Sequence, residues 1–176
     1  LAGSEIRNEL IFNDILLNLE EGRSPILLTE RINHLEWFES QLRSFVKNLF
    51  VMRGGKGRKF QAKISEQLAS LPTDEERLII ATGRVVGEGF DDPRLDTLFL
   101  ALPISWRGTL QQYVGRLHRQ HEGKNELRVY DYVDQDVPVL SRMFDRRRKG
   151  YQAMGYAIAV AQTEALSKYG NDSLIS

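Results

Sequence analysis

The stretch Gln112-Tyr113-Val114-Gly115-Arg116-Leu117-His118-Arg119 sets two arginines three residues apart. Leu110, Tyr113, Val114 and Leu117 stand at i, i+3, i+4 and i+7, an apolar stripe that a helix can turn toward a core. Gln112, Gly115, Arg116 and Arg119 repeat that spacing two residues out of phase and so occupy the opposite face. Planar guanidinium forks bind phosphate oxygens, and the glycine between them lets a ligand or a second lobe come close. A solvated helix face with ordinary surface arginines has the same spacing. The rest of the chain has to decide.

Upstream, Ala81-Thr82-Gly83-Arg84-Val85-Val86-Gly87-Glu88-Gly89-Phe90-Asp91-Asp92-Pro93 follows the apolar run Leu78-Ile79-Ile80. Gly83, Gly87 and Gly89 fall within seven residues, which suits backbone amides that approach a ligand or a chain that takes positive φ. On its own the segment is equally a glycine-rich turn with Asp91 or Asp92 as its Asx residue. Taken together, Thr82…Gly87-Glu88-Gly89-Phe90-Asp91 and Gln112-x-x-Gly115-Arg116-x-x-Arg119 resemble motifs V and VI of the superfamily 2 helicases. Within that superfamily the chain resembles the second RecA-like lobe of the type III restriction enzyme and DEAH-like branch, over roughly Pro25 to Tyr151. The Thr-to-Asp interval is one residue longer than in DEAD-box proteins, and Gln112 stands where they have histidine.

The resemblance implies roles for particular residues. Arg116 and Arg119 reach the γ-phosphate of ATP, with Arg119 as the arginine finger, and Gln112 orients the attacking water or the γ-phosphate. Gly89 belongs to the ATP-facing turn and Asp91 accepts a hydrogen bond from the ribose. Thr82 contacts a nucleic-acid phosphate or couples the two sites, and Thr29 and Arg31 match motif IV. The loop Arg53-Gly54-Gly55-Lys56-Gly57-Arg58-Lys59 fails the Walker A test, because Lys59 is followed by Phe60 rather than serine or threonine. Gly54 and Lys56 in that loop can still grip a nucleic-acid backbone, against the alternative of a solvated turn.

No complete Walker A loop or Asp-Glu-x-His acidic box stands anywhere in the chain. It carries the arginine half of an ATPase, and ATP with Mg2+ is expected to be held mainly by an N-terminal RecA-like lobe of the same polypeptide. The expected parent is an ATP-dependent helicase or translocase, with nucleic acid as partner and DNA ahead of RNA, while this chain alone is expected to be inactive. One alternative is a retired lobe that binds nucleic acid or protein. Another is an unrelated doubly wound enzyme with a small ligand at its glycine-rich loop.

At 176 residues the chain suits one domain with short extensions, and its first residue, Leu1, leads one to expect a piece of a longer protein. Hydrophobic content of 41% and charged content of 27% are ordinary, and the formal net charge of zero means that any nucleic-acid site is local. Without cysteine there is no disulfide framework or thiolate metal site, and a cytoplasmic setting is expected. No apolar run matches a membrane span. His34, His118 and His121 lack metal-ligand spacing, so no metal site is expected.

Strands are expected at Pro25–Thr29, Leu49–Met52, Leu78–Thr82, Thr97–Leu102 and Leu127–Val133, alternating with helices. The first helix starts at a Ser4 cap, with Phe12, Ile15, Leu16 and Leu19 on one face. Leu35, Phe38, Leu42 and Phe45 mark the second, and Phe60, Ile64, Leu68 and Leu71 the third. A last helix from about Pro138 carries Arg146 to Lys149 as a solvated end, with DNA contact as the alternative. This alternation means a doubly wound parallel sheet with helices on both faces, an α/β fold of RecA-like type. The expected organisation is an N-terminal helix over 1–22, the RecA-like domain over 23–154 and an extension over 155–176. Trp106 is expected to pack rather than stack on a base. Ligands of such sheets lie beyond the carboxyl ends of the strands, an edge that both motifs can share.

Overall fold

The computed structural model describes residues 5–101, 110–134 and 136–160. The Ser4 cap, Trp106 and positions 161–176 lie outside them. The elements run α1 (Glu5–Glu20), β1 (Pro25–Thr29), α2 (Ile32–Leu42), β2 (Leu49–Met52), α3 (Arg58–Ser70), β3 (Leu78–Thr82), α4 (Gly83–Gly87), β4 (Thr97–Leu100), α5 (Gln111–Leu117), β5 (Arg128–Asp131) and α6 (Pro138–Ala153).

The five strands form one parallel sheet in the order β2-β3-β1-β4-β5. β1, β3 and β4 are buried along their whole length, which is why their sequences are uninterrupted apolar runs, whereas the edge strands β2 and β5 are half-buried. The chain moves one way along the sheet from β1 to β2 and the other way thereafter. Right-handed crossovers therefore put α2 on one face and the β2-to-β3 and later helices on the other.

Side chains alternate accordingly. Leu27, Ile80 and Phe99 join Ile11, Ile15 and Leu19 of α1 and Leu35, Phe38 and Leu42 of α2 in one core layer. Ile26, Leu28, Ile79 and Leu98 meet Ile64 and Leu68 of α3, Val85 and Val86 of α4, and Tyr113, Val114 and Leu117 of α5 in the other. Each fully buried leucine or isoleucine contributes about 1.5–3 kcal/mol relative to exposure.

The structure departs from the sequence reading in four places. Phe45 lies past the end of α2 and is 61% exposed, edge-on to Phe12, so the apolar period stops one step earlier than expected. The buried stripe of α1 runs through Asn8, Ile11, Ile15, Asn18 and Leu19, leaving Phe12 and Leu16 half-buried. Its two asparagines are accommodated because Asn8 meets His34 and Asn18 meets the Tyr130 hydroxyl. Arg147 is not part of a solvated helix end: it is buried in α6 and grips Asp131 with both arms, while Arg146, Arg148 and Lys149 are exposed. Finally, α5 stops at Leu117, so Arg119 and His121 lie beyond the helix. Among the described residues, no helix is long and apolar enough to cross a membrane.

Candidate functional site

The segment after β3 is a single helical turn, α4, closed by main-chain bonds from Gly89 to Val86 and from Phe90 to Val85. Gly89 takes φ +99°, the left-handed conformation that ends a helix this way and that favours glycine. The turn drives Phe90 into the core beneath α5 and leaves Asp91 beside the helix. Asp92 takes the other role. It is buried, accepts from the Arg94 amide as the Asx residue of the following turn, and pairs with Arg77 at 3.1 Å. Burial pulls the Arg77 guanidinium down to about 10 despite that partner. The turn and the charge are thus divided between adjacent aspartates, a division invisible in the sequence.

Asp91 gathers the two arginines of the opening motif. Its Oδ2 lies 2.9 Å from Arg119 and 3.9 Å from Arg116. Its Oδ1 is buried and has no hydrogen-bond partner. On α5, Tyr113, Val114 and Leu117 are buried while Gln112 and Gly115 are exposed, so the two-faced reading holds within the helix, and Arg119 is exposed just past its end. A Cβ built on Gly115 would meet nothing within 4 Å, which leaves the face open between Gln112 and Arg116. Lys124, which the sequence reading passed over, donates from Nζ to the Arg119 carbonyl at 2.6 Å and to the Pro93 carbonyl at 3.0 Å. It straps the finger's backbone to the turn carrying Asp91, and burial lowers its ammonium from the ordinary value. Only a contact map reveals it, because a lone lysine in a turn has no motif. Past α5 opens a groove of about 570 Å³ lined by His118, Arg119, Gln120, His121, Lys124 and Leu127, among others.

A second cluster lies at the carboxyl ends of β2, β3 and β1. Thr82 Oγ1 accepts from the Gly54 amide at 2.9 Å, joining the basic loop to the start of α4. Lys56 and Arg31 are exposed there, whereas Arg53 is neutralised by Glu36 and Glu39 of α2. Thr29 is fully buried, with its hydroxyl on His34 Nδ1 and the Arg31 amide, so its side chain braces the turn and does not face solvent. Gln112 and Tyr113 open α5 at this edge. Asp91 and Arg119 sit farther toward the amino ends, next to the Arg77–Asp92 pair that precedes β3. The two motifs thus meet twice, at the carboxyl end of β3, where the Tyr113 hydroxyl donates to the Gly83 carbonyl, and over the helical face, where Asp91 holds Arg116 and Arg119. The described residues gather no group of three or more His, Asp or Glu ligands.

No family model matches the chain. Over 81 residues, 46% of this chain and 73% of the relative, it is 35% identical to uncharacterized protein 108L of Invertebrate iridescent virus 3. It is 27% identical over 162 residues to "Putative helicase 161L" of Invertebrate iridescent virus 6, a match taking in 88% of this chain and 35% of the viral protein. The chain thus spans about a third of that relative's length.

Among solved structures, T4 UvsW superposes with a TM-score of 0.66 at 18% identity, over 86% of this chain and 33% of that one. The C-terminal part of the Fun30 ATPase domain gives 0.64 at 10% identity, over 92% and 50%. Domain 2 of the DEAD-box helicase Mss116p, solved bound to an RNA duplex, gives 0.58 at 13% identity, over 93% and 62%. At these identities the likeness is one of fold. The chain therefore has the RecA-like fold of helicase domains and belongs to one family with protein 108L.

Proposed function

We propose that this chain is the C-terminal lobe of an ATP-dependent superfamily 2 helicase or translocase, in which Arg119 is the arginine finger. The observation that carries this reading is the convergence of two separate segments on one exposed face. The α4 turn delivers Asp91, and α5 with its strapped extension delivers Arg116 and Arg119. The likeness to helicase domains and to 161L supports it.

In this reading ATP lies between this face and an N-terminal lobe of the same polypeptide. Mg2+ would be held mainly by that other lobe, as the resemblance to superfamily 2 helicases implies. When the lobes close, the ribose hydroxyl takes the Asp91 carboxylate, and Arg119 turns from Asp91 to the γ-phosphate. Gln112 orients a water for in-line attack on the γ-phosphorus, the new P–O bond forms as the bond to the bridging oxygen breaks, and ADP and inorganic phosphate leave, with the water's proton passing to the phosphate or to solvent. Arg116 and Arg119 stabilise the charge that spreads over the equatorial oxygens, an effect worth about 10³–10⁵ in turnover in comparable systems. Lys56 and Arg31, exposed at the carboxyl edge, form part of the nucleic-acid track, and Thr82, buried behind them, holds the Gly54 loop in place.

The reading is tested by comparing residues 1–176 with the longer parent protein. The parent hydrolyses ATP, and the isolated lobe shows no appreciable turnover and binds a labelled single strand weakly, with affinity falling steeply as salt rises. Robust magnesium-dependent hydrolysis by residues 1–176 alone overturns the half-site assignment. Tight strand binding that survives high salt favours a dedicated binding module instead.

A further inference from the structure

Tyr113 is buried on the core side of α5, and its hydroxyl donates a hydrogen bond to the carbonyl of Gly83. A buried ring needs no hydroxyl for packing, so the bond points to a role beyond filling the core. Gly83 directly follows Thr82, which ties in the Gly54 loop, and it is crowded from two sides. A Cβ at this position would overlap both the Tyr113 hydroxyl and the Glu30 carboxylate. Three segments therefore meet without slack at one main-chain unit: the end of β1 through Glu30, the start of α4 at Gly83, and α5 through Tyr113. The Glu30 carboxyl is pushed up by desolvation, and burial together with Glu30 pushes the Tyr113 phenol up to about 12. The hydroxyl remains a proton donor throughout the neutral range.

Tyr113 also sits between the two faces of the site. It follows Gln112 directly and precedes Arg116 by one turn of the same helix. A strand that draws on the Gly54 loop or Arg31 shifts the Gly83 carbonyl, and a packed helix responds as a body rather than by bending. We infer that Tyr113 is a positioning residue that couples nucleic-acid contact at the carboxyl edge to the placement of Gln112, Arg116 and Arg119, through the carbonyl of Gly83, whose α-carbon Glu30 crowds from the other side. This rests on the helicase reading above, and the test separates the two.

The experiment uses the parent protein with Tyr113→Phe, which keeps the ring and removes only the donor. ATP turnover is measured with and without saturating oligo-dT or oligo-U, whichever stimulates the unaltered parent more. The stimulation ratio is expected to fall roughly tenfold, while basal turnover and strand affinity stay within about twofold, the effect of one lost buried hydrogen bond expressed only when the strand is bound. An unchanged ratio overturns the inference. So does a parallel fall of basal and stimulated rates with a lowered melting temperature, the signature of a merely structural bond. Arg119→Ala, run alongside, distinguishes the failures: normal turnover in that variant overturns the arginine-finger assignment on which the proposed function rests. Lost turnover there with intact stimulation in Tyr113→Phe overturns only the coupling.

Discussion

Asp131 and Asp91 each hold an arginine, and the two pairs are built in opposite ways. Asp131, at the end of β5, receives Arg147 Nε at 2.7 Å and an Arg147 terminal nitrogen at 2.9 Å on its two oxygens, and the Tyr151 hydroxyl adds a third bond at 2.8 Å. The side chains of Arg147 and Asp131 are 1% and 8% exposed, and burial, with the Asp131 carboxylate beside it, pushes the Tyr151 phenol well above its ordinary value. Asp91 offers one oxygen to Arg119 and, at longer range, to Arg116, while its other oxygen is buried and unmet. The Arg119 side chain is 57% exposed. A fully satisfied buried pair is a joint, because removing either half strands a charge out of water. A half-satisfied, partly exposed pair loses little when it opens, because water can take the place of the partner that leaves. The first pair docks α6 on the sheet. In the proposed function, the second exchanges partners.

The largest expected effect breaks or confirms the exchangeable side of this contrast. In the parent protein, Arg119→Ala lowers ATP turnover by about 10³ or more, with ATP affinity within about tenfold, because a finger acts on the transition state. Arg119→Lys rescues poorly, since a point charge lacks the planar fork. The urea midpoint of either variant should match the unaltered protein. If Arg119→Ala hydrolyses ATP at the normal rate with a strand present, the exposed pair is an ordinary surface ion pair.

On the joint side, Arg147→Ala is expected to destabilise the chain by about 3–5 kcal/mol in urea unfolding, from the uncompensated Asp131 carboxylate. A loss under about 1 kcal/mol removes the distinction between the two pairs.

A smaller effect concerns pH and the opposite face of the sheet. His34 is 2% exposed, held between Thr29 and Asn8, and its imidazole is pulled down to about 4 by burial and then by Arg7 and Arg31. Its contribution is complete above the unfolded value near 6.5. As pH falls from there, the unfolded chain takes up a proton that the folded chain refuses until about pH 4. Stability therefore drops by about 2–3 kcal/mol across that window. Unfolding at pH 7 and pH 4.5 measures it, and His34→Gln should flatten the profile. An unchanged slope in that variant assigns the acid sensitivity to the aspartate pairs instead.

Much of the fold could be read in the chain because it rests on local repetition. β1, β2 and β3 fall on Pro25–Thr29, Leu49–Met52 and Leu78–Thr82 as expected, since each is a short uninterrupted apolar run between breakers. The outer face of α5 was legible for the same reason. The end of α5 was not, because nothing in Leu117-His118-Arg119 announces a stop, and the bond between the Tyr156 hydroxyl and His118 Nε2 comes from a residue 38 positions away. Arg147 read as solvated because its neighbours are charged, and only β5 supplies the aspartate that buries it.

By itself, the sequence determined the alternation of strands and helices, the parallel sheet that this alternation compels, and the pairing of a glycine-rich turn with an arginine-bearing helix. These follow from side-chain periodicity and from chain stereochemistry, both of which act over a few residues. The tertiary structure alone decided which aspartate meets the arginines, that Lys124 straps Arg119, that Thr29 turns inward and that Tyr113 reaches Gly83. Each of these joins residues that the chain brings together only by crossing the sheet or rounding a turn. The energy of such a contact depends on burial and on distances of a few ångströms, and neither quantity exists until the core has closed.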